Sequence, residues 1–371
     1  MNSRVHLAGL NGLRAIAALA VVFSHIELGL ESFGLPKGKS LDLAGFGVTI
    51  FFSLSGFLIT YLLIIEKNKS GNINVKNFYI RRILRIWPLY FFYFFMALIC
   101  AFLYQKNISA TSLVFYLLLS ANIPYVFYTP LPFLDHYWSL GVEEQFYLFW
   151  PWIVSKSKNI LRTLVLFISA FLIARFLFRI LDSATDFHKP YLLAHVSRFD
   201  CMAIGALGAV LFHSGNKLLL TLACSVITQA VCWVTITLMA LNRFHIASVI
   251  DHEIIAVLTI LLIINVSSNK KSILNLNTRP FDFLGKISFG IYVYHPLILF
   301  LLSKIFSSFN NFLSPFSIQL LVYSGVPAAT VIIAYISYEV FEKRFLSIKE
   351  KYSTVNSASF NYAFNKKNNQ V

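Results

Sequence analysis

Leu7 to Leu28, LAGLNGLRAIAALAVVFSHIEL, is apolar and long enough to cross a bilayer as one helix, yet it carries Arg14 and His25. Eleven positions along a helix make about three turns with a net rotation of only ~20°, so both side chains lie on one face, about 16 Å apart along the axis. An ionisable group is costly in hydrocarbon, so it usually faces a polar interior and serves a purpose there. A blander account remains open for the stretch alone: Arg14 snorkelling at a helix end and His25 hydrogen-bonded inside a bundle.

Composition extends the membrane reading to the whole chain. Of 371 residues, 57% are hydrophobic, 16% aromatic and only 13% charged, with a mean hydropathy of +0.70. Soluble domains carry about 25% charge, so an all-α, polytopic integral membrane protein is expected. A net charge of +15 would suggest nucleic acid in a soluble chain. Here the Lys and Arg cluster between apolar segments, so basic cytoplasmic loops account for them, and no nucleic-acid partner is expected. Cys100, Cys201, Cys224 and Cys232 all lie in apolar runs without metal spacing, and read as small buried hydrophobes, not a disulfide framework or a metal site. Met1 to His6 is short for a signal-peptide n-region and no A-x-A cleavage site follows, so the first helix is expected to stay as an anchor.

Ten spans of bilayer length are expected, near 8–28, 45–65, 86–104, 138–154, 163–181, 196–212, 218–240, 252–266, 284–304 and 318–340. The loop 66–85 holds Lys67, Lys69, Lys76, Arg81, Arg82 and Arg85. Later basic clusters are Lys156/Lys158/Arg162, Lys270/Lys271/Arg279, and Lys343/Arg344/Lys349/Lys351. With both termini cytoplasmic, roughly twenty basic residues fall inside against about six outside. Thr111 to Ile123 is apolar but short and Pro-flanked; counted as a span it would reverse every later loop, so a re-entrant or interfacial segment is expected. The membrane domain is expected over 1–348, with 349–371 a cytoplasmic, disordered, Asn/Lys-rich tail.

Several stretches carry candidate chemistry. In Gly47 to Thr60 the small residues Ser53, Ser55 and Gly56 permit close helix approach. In FYIRRILRIWP, Arg81, Arg82 and Arg85 sit where a helix re-enters the membrane, with Arg81 and Arg85 four apart on one face. Arginine forks suit phosphates, although the positive-inside rule alone also accounts for such a cluster. HYWSLGVEEQFYLFWP places Glu143 and Glu144 beside Trp138, Ser139 and Gln145. Adjacent helical residues point about 100° apart, so at most one carboxylate faces a common site, where it could orient or charge a histidine. SRFDCMAIG puts Arg198 and Asp200 at the entrance of a later span, after Arg175 and Arg179; an ion-pair network or substrate contact both fit. His295, before Pro296, reads as a hydrogen-bonded packing residue, and Glu342, Lys343 and Arg344 as a membrane boundary.

Taken in order, Arg14–ten residues–His25, FFSLSGFLIT, FYIRRILRIWP, WSLGVEEQFYLFWP, SRFDCMAIG and LGKISFGIYVYHP resemble the membrane-bound acyltransferase-3 family, from about Leu10 to Phe345. Two departures are visible: Thr49 stands where many relatives have an acid, and Glu342-Lys343-Arg344-Phe345 lacks a Pro found in relatives. The resemblance implies O-acyl transfer, usually of acetyl, from cytoplasmic acyl-CoA (acetyl-CoA as donor substrate, no permanently bound cofactor) to a sugar hydroxyl across the bacterial cytoplasmic membrane. The expected acceptor is a carbohydrate such as lipopolysaccharide O-antigen. In that frame Arg81, Arg82 and Arg85 hold the CoA phosphates and Arg14 lines the donor path. His25 is the general base or an acylated intermediate, and Glu144 orients or charges it. Trp138, Ser139, Glu143, Arg198 and Asp200 support the site or the acceptor. Some relatives carry a fused extracytoplasmic domain; none is recognised in the 371 residues, so transfer is expected to finish within the membrane domain. The rival class is a transporter or flippase for a lipid-linked glycan, which would favour broken midplane helices and a repeat between halves.

Overall fold

A computed structural model describes residues 7–353 except 186, 248, 270 and 310, together with the backbone of 4–5 and 356–357. In a bilayer each backbone polar group must find its partner within the segment, so apolar runs of this length become helices. They are α1 (Leu10–Gly29), α2 (Leu43–Ser70), α3 (Val75–Leu103), α4 (Ala110–Leu117), α5 (Asn122–Val126), α6 (Trp138–Lys156), α7 (Ile160–Ala184) and α8 (His188–Ser197). Then follow α9 (Phe199–His213), α10 (Lys217–Cys224), α11 (Val226–Ala240), α12 (Asp251–Ser268), α13 (Arg279–Lys286), α14 (Ser288–Ser307), α15 (Pro315–Ser337) and α16 (Lys343–Glu350). A π-turn at Tyr338–Glu342 joins the last two. Side chains of Asn74, Ser109, Asn159, Asn216 and Ser314 cap the N-termini of their helices, as short polar residues do at orphan N–H groups. One extended pairing joins Arg4–Val5, before α1, in parallel to Asn356–Ser357, after α16.

Eight helical stretches are long and apolar enough to cross a membrane, counting α8–α9 and α15–α16 as one each; α10 and α11, bent by 69° at Ser225, make a ninth. The protein is a multi-pass membrane protein. The remaining expected span is α6, whose 19 residues reach about 28 Å but which Glu143, Glu144 and Gln145 make less apolar than the others. Thr111 to Ile123 does not form one helix. The helix is interrupted between α4 and α5 at Leu119, where φ is 57°. Of the expected tail, Lys349 and Glu350 close α16, and 358–371 lie outside the described residues.

The bundle is built around α2 and α9, its most closely packed pair. A Cβ at Gly56 would strike the carbonyl oxygen of Met202, and one at Gly205 that of Ser53, so glycine is what lets the two backbones meet. Gly56→Val should cost about 1–3 kcal/mol or more through overpacking. The check is the thermal unfolding midpoint in detergent, and an unshifted midpoint would show that α9 simply moves aside. Helices α3, α7 and α15 turn Phe92, Phe95, Ile173, Phe176 and Ile332 outward, as lipid-facing helices do. On α7 only Leu164 and Arg175 are buried, so an arginine anchors an otherwise lipid-facing helix.

Candidate active site

The face shared by Arg14 and His25 looks into the bundle at two different depths. At one depth, Arg14, Arg82, Arg85, Ser139, Glu143 and Tyr292 help line a cavity of about 90 Å³, roomy enough for several waters at about 10–15 Å³ each. A wider vestibule of about 230 Å³ shares Arg14, Leu58, Arg85 and Phe289 with it, and continues among Asn11, Asp282, Lys286, Glu342 and Lys349. Arg14 and Arg85 therefore stand between the two chambers.

The arginines divide. Arg14 donates to Asn11 Oδ1 (3.2 Å), and Asn11 in turn donates to Asp282 (2.7 Å). Arg82 stacks on the rings of Phe78 and Tyr147, at 5.5 and 5.7 Å, and its buried Nε has no hydrogen-bond partner. Arg85 makes no hydrogen bond or ion pair among the described residues. Guanidinium groups with donors to spare around a cavity form a site for an anion. Arg81, expected beside the donor phosphates with the other two, lies elsewhere. It pairs with buried Glu66 (3.1 Å) and donates to the Tyr352 carbonyl (2.8 Å), tying α2, α3 and the chain end together away from both chambers. The inward pair is Arg82/Arg85, three apart, and not Arg81/Arg85, four apart; both spacings share a helix face, and only packing chooses between them.

The carboxylates divide too, and the one expected to orient His25 is not the one that faces the cavity. Glu143 faces it, accepting from Ser55 Oγ (2.9 Å) and Tyr147 OH (3.1 Å). Ser55 thus does more than let helices approach. Glu144 turns toward α3 and accepts from Trp87 Nε1 (2.9 Å), while its other oxygen is buried without a partner. No hydrogen bond joins Glu144 to His25. The histidine is held by its own helix: Nδ1 lies 2.8 Å from the Val21 carbonyl. A carbonyl only accepts, which assigns the proton to Nδ1 and leaves the lone pair on Nε2.

Two further histidines, not singled out as site residues from sequence, meet this one. The His295 ring lies 4.8 Å from that of His25, and the His136 ring 5.2 Å from that of His295. Pro296, inside α14, has no N–H to give the Tyr292 carbonyl, and His295 Nδ1 takes that carbonyl instead at 2.7 Å. The dipeptide His-Pro in an apolar helix was the available signal. Ser139 Oγ and Tyr292 OH share a 2.5 Å hydrogen bond on the cavity wall, and whichever hydroxyl accepts in it can donate to the His136 carbonyl, linking cavity and imidazoles.

Residues 7–339 match the family model described as an acyltransferase domain. The chain belongs to the acyltransferase-3 family. It is 26% identical to the O-acetyltransferase OatA of Staphylococcus aureus (strain NCTC 8325 / PS 47) over 368 residues, 92% of this chain and 57% of the relative. It is also 26% identical to the peptidoglycan O-acetyltransferase OatA of Listeria monocytogenes serovar 1/2a, over 92% of this chain and 56% of that one. With the putative peptidoglycan O-acetyltransferase YrhL of Bacillus subtilis it shares 30% identity over 173 residues, covering 43% and 25% of the two. The chain thus spans a little over half the length of the first two relatives. No solved structure matches it.

The remaining residues of this acyltransferase-3 chain form a second buried polar cluster. Asp200 pairs with Arg175 (3.2 Å), which also bonds Glu253 (2.5 Å), joining α7, α9 and α12. Arg179 stays on α7, paired with Asp182 at 3.5 Å. Arg198 pairs with no carboxylate among the described residues. It occupies the left-handed break between α8 and α9 (φ 43°), donates to the Gly45 carbonyl (2.9 Å) and Thr49 Oγ1 (3.2 Å), and lies 5.3 Å over Trp138. Such strain in a non-glycine residue persists only where the surroundings hold it. Thr49 also reaches His252 Nδ1 (3.0 Å), so this hydroxyl lies between a guanidinium and an imidazole. Glu342, read as a membrane boundary, lines the vestibule from the π-turn, the kind of helix irregularity frequent at functional sites.

Proposed function

We propose that the chain transfers an O-acyl group, most simply acetyl, from acyl-CoA to a hydroxyl of a cell-surface carbohydrate. The observation that carries this reading is that one helix presents a guanidinium to a chamber system and, further along the same face, an imidazole with a free Nε2. Arg82 and Arg85 hold donor phosphates near the vestibule, and Arg14 lines the thioester's path. His25 Nε2 takes the proton of the acceptor hydroxyl as its oxygen bonds to the acyl carbon. The C–S bond breaks, and the CoA thiolate leaves with the proton. Glu143, held by Ser55 and Tyr147, offsets the positive charge of the cavity. The proposed setting is a bacterial cytoplasmic membrane with both termini cytoplasmic, supported by the basic loops and by the pairing of Arg4–Val5 with Asn356–Ser357.

Peptidoglycan, named for the Listeria and Bacillus relatives, is the acceptor to assay first, with lipopolysaccharide O-antigen beside it. Surface glycans from cells with and without the protein are compared by proton NMR for alkali-labile O-acetyl signals. Membranes are given labelled acetyl-CoA in parallel. Signal and label appearing only with the protein support the reading; glycan export without donor consumption would replace it with transport. Within this scheme Arg85→Gln should raise the KM for acyl-CoA roughly 10–100-fold, the worth of about 1.5–3 kcal/mol for a charged hydrogen bond. Arg81→Gln should leave that KM unchanged, and a rise in both alike would return Arg81 to the donor site.

A further inference from the structure

We infer that His295 is a positioning residue for proton transfer: its Nε2 shares the proton that His25 takes from the acceptor. This rests on the O-acyl-transfer reading above. His295 is fully buried, and its bond to the Tyr292 carbonyl leaves the lone pair on Nε2, which has no partner. His136 repeats the pattern: Nε2 donates to the Val293 carbonyl at 3.1 Å and buried Nδ1 has no partner. A buried acceptor without a donor is costly and rare, yet two such nitrogens sit in consecutive rings beginning beside His25. No carboxylate lies within 4.0 Å of the three imidazoles among the described residues.

That absence sets the chemistry. A histidine that becomes a cation in a buried site needs a partner, and the carboxylate expected from sequence, Glu144, is bonded to Trp87 instead. The ring next to His25, 4.8 Å away between centroids, is that of His295, whose Nε2 carries the lone pair. The three rings do not gather around an ion: among the described residues, the one trio whose ligand atoms lie within 4.8 Å of one another is Asp200, Cys201 and Glu253. During transfer the acceptor O–H bond breaks and its proton bonds to His25 Nε2. It is shared with His295 Nε2 as N–H···N while the new O–C bond forms and the C–S bond breaks. It then returns through His25 to the thiolate sulfur. Nothing is oxidised or reduced.

The test uses the full chain in lipid nanodiscs, with acetyl-CoA and the acceptor glycan, following CoA thiol release. His295→Asn keeps an N–H for the Tyr292 carbonyl and removes the basic nitrogen. It should lower kcat roughly 10–100-fold, short of the full effect of a positioned proton transfer, and leave the KM for acetyl-CoA unchanged. The variant should also move the acidic limb of kcat/KM to lower pH, because sharing favours protonated His25 and its loss makes His25 harder to protonate. Among the described residues, the other ionisable groups around the pair are His136 before α6 and Tyr292 from α14, both against His295, and Tyr93 from α3, against His136. Wild-type kcat and pH profile in this variant would reduce His295 to packing. If the variant does not fold, the 15N NMR signal of His295 Nε2 in the wild type stands in: a shift toward a protonated nitrogen as His25 is protonated supports sharing, and a signal fixed at an unprotonated imidazole nitrogen overturns it. A wild-type chain that consumes no acetyl-CoA with either glycan overturns the transfer reading, and this inference with it. An active wild type whose His295 Nε2 stays unprotonated throughout overturns this inference alone.

Discussion

His25→Ala should lower O-acyl transfer by roughly 10²–10⁴-fold, the usual contribution of a positioned general base. The loss should come from chemistry and not from folding. The ring is only half-buried, alanine is the best helix former, and α1 is already packed through Leu13, Ala17, Ala18, Val21 and Val22. The substitution removes the Nε2 lone pair that the Val21 carbonyl fixes in place. It also removes the nucleophile of an acyl-histidine route, so both versions of the mechanism predict the same deficit. The measurement is alkali-labile O-acetyl on surface glycan, normalised to protein present in the membrane fraction. Full activity in a normally inserted variant would sink both.

Arg175→Leu should cost about 3–5 kcal/mol of stability, the penalty for leaving a buried charge without its partner. Here two carboxylates are stranded at once, since Asp200 and Glu253 both depend on this guanidinium, along with the Val249 carbonyl. The same side chain is the one polar anchor of lipid-facing α7 to α9 and α12. A lower unfolding midpoint in detergent and a lower membrane yield are therefore expected. Adding Asp200→Asn and Glu253→Gln should recover much of the loss, because neutral amides need no counter-charge. If those additions lowered the midpoint further, the cost would lie in packing of α7 and not in charge.

Arg85→Gln and His295→Asn address the donor and the proton separately, so their effects should fall on KM and on kcat respectively. Glu144 illustrates why such a division could not be drawn from the chain alone. Its neighbour Glu143 has the same chemistry and the same aromatic surroundings in sequence, and the two differ only by about 100° around α6. Arg81 and Arg82 pose the same choice on α3, and packing sends one to Glu66 and the other to the cavity wall.

Bilayer-spanning helices, the shared face of Arg14 and His25, and family membership were legible in the sequence itself. Hydrophobicity, helical period and motif order are local properties, and they survive without knowledge of any neighbour. Even the His295 bond to the Tyr292 carbonyl is local, since Pro296 frees that group within its own helix. What needed the tertiary structure was the rotation and depth of each helix against the others. Close contacts between backbones, such as Gly47 of α2 on Ala17 of α1 and Gly141 of α6 on Ala121, help set those. They turn Glu143 and Arg82 inward, commit Arg81 to Glu66, and bring His295 of α14 against His25 of α1. A helix is free to rotate about its axis until another backbone meets it, so no pattern along the chain could have chosen which side chains share the cavity.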